Sequence, residues 1–157
     1  MCHSEAMKKR TARQIRDPMA CVTRRMPLAE DQTRDLGLAY HLALQALLNG
    51  NGTEQTWSTL ACSINIALLL SEQGIEASAI QTIKLAQEAL LRVRERATRT
   101  GKWAFDGDGI RVTLAAVNIH DEQVSRVTKK QITDALNEVH RRIDDGEVFI
   151  NTTKEAA

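Results

Sequence analysis

From Glu30 to Asp145 this chain carries an almost unbroken helical periodicity, and glycines or polar caps stand where each apolar stripe stops. Stripes that recur every three to four residues are buried by packing helix on helix. The pattern predicts an all-α fold: a single bundle of about five helices preceded by a basic, flexible N-terminal arm. A length of 157 residues suits one domain. The expected division is an arm over 1–27, a bundle over 28–150 and a frayed tail over 151–157. Aromatic residues make up only 3%, so the core is expected to be built from Leu, Ile, Val and Ala.

The helix boundaries follow from local chemistry. Glu30 and Asp31 suit the positive end of a first helix, which should close at Asn49 and Gly50. Its stripe is Leu36, Tyr40, Ala43, Leu44 and Leu47, widened by Leu38, Leu42 and Leu48. Thr53 is the expected N-cap of a second helix running to Gln73 and stopped by Gly74. Trp57, Leu60, Ala61, Ile64 and Leu68 share one of its faces, and Cys62, Ile66, Leu69 and Leu70 share the opposite one. A helix apolar on two sides is expected at the centre. Ser63 and Asn65 within it should bond to a neighbouring helix or to a carbonyl one turn back.

A third helix is expected from about Glu76 to Arg99, burying Ile83, Ala86, Leu90, Val93 and Ala97. A fourth should start after Asp108 as N-cap, run from Ile110 to about Arg126, and turn Ile110, Leu114, Val117 and Val124 inward. Thr128 and Gln131 form a capping box for a fifth, with Ile132, Ala135, Leu136, Val139 and Ile143 as its stripe and Gly146 as its end. Helices and turns differ too much for an internal repeat.

Charge is distributed unevenly. Lys8, Lys9, Arg10, Arg13, Arg16, Arg24 and Arg25 stand against Glu5 and Asp17 in the first 27 residues, a balance of +5 that leaves −4 for the rest of a chain of net +1. Without interleaved aromatics, such an arm would attract the phosphates of a nucleic acid, or an acidic protein, without reading bases. On the third helix Arg92, Arg96 and Arg99 recur at spacings that let a helix track phosphates. The plainer reading is a solvated face, with Glu88 and Glu95 each four residues ahead of Arg92 and Arg99. Trp103 and Phe105, in the loop KWAFDGDG, would seal the open end of the bundle or form a partner-binding spot beside Arg99 and Lys102.

Catalytic signatures are missing from the sequence. No phosphate-cradling or dinucleotide glycine motif occurs, and Cys2, Cys21 and Cys62 have no metal-like spacing. His3, His41, His120 and His140 are scattered, so only a site assembled in three dimensions with carboxylates could use them. A calcium loop counted from Asp106 would end at Val117 instead of a bidentate glutamate. The expectation is a protein that is not an enzyme and takes no cofactor and no metal. The fifth helix mixes Lys130, Arg141 and Arg142 with Asp134, Glu138, Asp144 and Asp145, a poor surface for a DNA-reading helix. No apolar run approaches a membrane span, and no signal-peptide pattern opens the chain, so no membrane partner and a cytoplasmic location are expected.

The segments DLGLAYHLALQALLNGNGTEQTW, ACSINIALLL, AQEALLR, GKWAFDGDG and EVHRRIDDGEVF resemble short uncharacterised helical proteins of β-proteobacterial genomes and mobile elements. Some of these carry the label of Fis-type transcriptional regulators. The resemblance spans roughly Pro27 to Ile150 and implies a compact bacterial helical domain with a regulatory role, bringing no binding or catalytic residues with it. The resulting expectation is a small regulatory or accessory binding protein, nucleic-acid-associated through its arm. The alternative is a protein-interaction or homo-oligomerisation module, suggested by Leu38, Leu42, Leu85 and Leu91 lying off their stripes.

Overall fold

The computed structural model describes residues 25–146. Five α-helices form an all-α bundle among the described residues: α1 Glu30–Leu48, α2 Glu54–Glu72, α3 Ile80–Thr100, α4 Gly107–Val124 and α5 Lys129–Asp144. A 3-10 turn at Ala77–Ala79 leads into α3. The starts of α2, α4 and α5 are fixed by N-cap side chains that satisfy otherwise orphaned backbone donors. Thr53 Oγ1 accepts from the Thr56 amide, and Thr128 and Gln131 cap one another reciprocally.

Helix α2 is the central element and packs against all four other helices. Its two apolar faces serve two separate cores. Trp57, Leu60, Ile64 and Leu68 join Leu44, Leu47, Ile83, Val93, Phe105 and Val117 in the larger one, between α1, α3 and α4. Leu69 and Leu70, with Cys62 and Ile66 beside them, meet Val127, Ala135 and Val139 in a smaller one under α5. Ser63 donates to the Thr59 carbonyl one turn back, and Asn65 accepts from Gln87 of α3 at 2.8 Å, so both polar residues of α2 are satisfied in the two expected ways.

Several local expectations are corrected. Asp106, not Asp108, caps α4: its backbone is extended and its carboxylate accepts from the Gly109 amide, so the helix begins at Gly107 and Asp108 falls in its exposed first turn. The same helix closes at Val124, short of Arg126. Glu76 does not start α3, because its φ of 58° is left-handed and turns the chain into the 3-10 segment. Leu36, Leu114 and Ile143, expected on the buried stripes, are exposed at 40%, 39% and 48%, so the buried stripe of each helix is narrower than its apolar pattern.

Two contacts tie the connections to the bundle. Gly52 makes an antiparallel bridge with Trp103. A Cβ on Gly52 would lie 2.5 Å from the Trp103 carbonyl oxygen, so only glycine permits this approach. At the other end Pro27 bridges Thr128, and the Met26 carbonyl accepts from the Lys129 amide, which clasps the approach to α1 against the start of α5.

Candidate functional site

The last turns of α3 and the loop that follows them form an open cleft lined by Arg92, Glu95, Arg96, Arg99, Ala104 and Asp106. Helical spacing sets the three arginines on one side, and the α4 cap sets Asp106 opposite them. Arg92 Nε donates to Asp106 Oδ2 at 2.8 Å. That charge-assisted bond, then the Gly109 amide, hold the Asp106 carboxyl below its usual range, and the same bond raises Arg92. Arg96 Nη1 donates to the Phe105 carbonyl at 3.1 Å and, more loosely, to that of Ala104. Its guanidinium is thereby anchored to the backbone of the loop. Arg99 has no hydrogen-bond or ion-pair partner among the described residues.

The sequence-derived candidates separate into two groups here. Arg92, Arg96 and Arg99 converge on the cleft, but neither the Glu88–Arg92 nor the Glu95–Arg99 pair forms; Arg92 takes instead the Asp106 carboxylate, already positioned by the α4 cap. The aromatic rings turn the other way. Phe105 is only 7% exposed and belongs to the main core, and the half-buried Trp103 lies against Trp57 with ring centroids 5.8 Å apart. Both rings therefore cover the end of the bundle, while the backbone of their loop supplies acceptors to Arg96. Of the arm, Arg25 is exposed at the edge of the described residues. Lys8, Lys9, Arg10, Arg13, Arg16 and Arg24 lie outside them.

A second polar group joins α1 to α4 and was invisible in the sequence. His41 Nε2 lies 3.0 Å from both carboxylate oxygens of Asp121, and the Tyr40 hydroxyl donates to the same carboxylate. Burial, reinforced by Asp121, pushes the Tyr40 hydroxyl well above its ordinary pKa, so it remains a donor. His120 faces inward and donates through Nδ1 to Gln123 Oε1, and burial lowers its pKa. The Gln123 amide then donates towards the Ala67 and Ile75 carbonyls and the Ser71 hydroxyl at 2.9–3.0 Å. His140 is exposed. No local signal could have found the Tyr40–His41–Asp121 group, because Tyr40 and Asp121 are 81 positions apart.

Other chemistry is limited by the same geometry. Burial raises the pKa of the Cys62 thiol, which keeps it protonated and a poor nucleophile. Among the described residues no group of three or more His, Cys, Asp or Glu could hold a metal ion, and no helix is long and apolar enough to cross a membrane. No family model, curated protein or solved structure matches the chain.

Proposed function

We propose that this protein works by binding, as a small regulatory or accessory factor that engages a polyanionic partner through the arginine cleft. The observation that carries this reading is the convergence of Arg92, Arg96 and Arg99 on one open surface, with Arg96 held by backbone carbonyls and Arg99 unspent. A guanidinium already oriented loses less freedom on meeting a phosphate or carboxylate than a free side chain does. The basic residues from Lys8 to Arg25 would add long-range attraction of the same sign. Nucleic-acid phosphates are the favoured target, with an acidic protein surface as the second.

Anisotropy of a labelled DNA duplex and of a labelled acidic peptide, titrated with the full chain, tests this reading. DNA binding should weaken steeply between about 50 and 200 mM salt. Arg99→Glu should weaken it further at only a small cost in stability, since Arg99 makes no hydrogen bond or ion pair among the described residues but suits the C-terminal end of α3. Equal DNA affinity of this variant and the parent at low salt would exclude the cleft. Preferential capture of the peptide would favour the acidic-protein version.

A further inference from the structure

We infer that α1 is a self-association surface on which a second copy of this chain docks antiparallel, helix against helix. The helix displays one continuous outward stripe, Asp31, Asp35, Leu38, Leu42, Gln45 and Asn49, and every member is exposed. Recurrence at four and three residues places all of them on one face of α1, with Leu38 and Leu42 as its apolar pair and polar residues on either side. Leu38 and Leu42, at its middle, are 55% and 60% exposed. From Leu36 to Thr53 the sequence contains no Asp, Glu, Lys or Arg, so most of this solvent face lacks the charge that keeps a surface single.

The order of residues along the stripe selects the occupant and its direction. A two-fold axis beside Tyr40 would set Leu38 against Leu42 of the second copy, Asp35 against Gln45 and Asp31 against Asn49, so that each seam residue meets another seam residue. The acidic end of one helix, Glu30, Asp31 and an Asp35 partly offset by Arg34, would then meet the C-terminal end of the other. Lys102 waits there, because its Cε lies 3.9 Å from where a Gly50 Cβ would stand. Parallel pairing would instead oppose the two acidic ends. Antiparallel pairing also aligns the helix dipoles favourably. A single helix pair is a small interface, so a dissociation constant on the order of micromolar is expected.

Sedimentation velocity of the full chain over about 1–200 µM tests the inference. The mass should rise towards twice the chain's 17.5 kDa. Leu42→Glu should raise the dissociation constant at least about tenfold while circular dichroism and melting stay unchanged. Asp31→Lys and Lys102→Glu should each weaken the dimer, and the two together should restore it. A monomer across the whole range would overturn the second copy as occupant. A dimer indifferent to Leu42→Glu would overturn the face, and failure of the double variant to recover would overturn the antiparallel order.

Discussion

The Trp57 indole nitrogen donates to the main-chain carbonyl of Leu90 at 2.8 Å, a buried bond that fastens the first turn of α2 to the middle of α3. Arg94 lies over the same indole ring at 5.5 Å and Trp103 packs beside it, so this one side chain joins α2, α3 and the loop before α4. Replacing it by Phe removes the bond and part of the ring, and should cost about 1–3 kcal/mol in urea unfolding. Trp57→Ala should cost about 3–5 kcal/mol. A near-neutral Phe variant would mean that the Leu90 carbonyl is fully satisfied without the indole.

Thr113 of α4 is fully buried, and its hydroxyl has no partner among the described residues. Valine has nearly the same shape and no polar atom to desolvate. Thr113→Val should therefore stabilise the protein by about 1 kcal/mol, visible as a raised denaturation midpoint with an unchanged slope. A loss of stability would point to a water bonded to that hydroxyl.

Gly52→Ala should be destabilising out of proportion to its size. The added methyl would meet Leu47 Cδ2 and the Trp103 carbonyl oxygen, both at 2.5 Å, and the second of these is backbone that cannot swing aside. A cost of about 1–3 kcal/mol is expected, with a shift in tryptophan emission as Trp103 is pushed off Trp57. Gly74→Ala is a useful comparison, since nothing stands within 4 Å of a Cβ there and only its φ of 96° opposes the change.

His120 ties stability to pH. Burial lowers its pKa from the ordinary 6.5 in the folded protein, so the unfolded chain takes up the proton first. Its contribution is complete above about pH 6.5 and is lost as pH falls from there through the folded value. The melting temperature should begin to drop as pH falls below about 6.5, before most carboxylates titrate. In His120→Phe that part of the slope should flatten; an unchanged slope would place the proton-linked group elsewhere.

The architecture was legible because helix periodicity and capping are local. The two faces of α2, the Thr53 cap and the Thr128–Gln131 box could all be read from neighbouring residues, and each formed as expected. Asp106 and Asp108 were harder, since either aspartate can cap a helix, and only the structure shows Asp106 accepting from the Gly109 amide while its other oxygen takes Arg92. The convergence of the arginines needed only the α3 periodicity, whereas the Asp106 and carbonyl acceptors facing them needed the fold of the loop. Gln123 and Asp121 look like ordinary polar positions of an amphipathic helix. Apart from His120, three residues before Gln123, their partners come from α1, α2 and the turn after α2, at separations no sequence window spans.

The unequal division of apolar packing across α2 separates the molecule into parts of different endurance. Helices α1, α3 and α4 share the larger core, whereas α5 is retained by the small cluster around Val127, Ala135 and Val139 together with the Pro27–Thr128 clasp. Helix α5 and the clasp should therefore open as one cooperative unit at lower free energy than the rest, exchanging their amide hydrogens while α2 and α3 still protect theirs. Each opening would free Met26 and Pro27, the approach to α1, from the start of α5 without the main core melting.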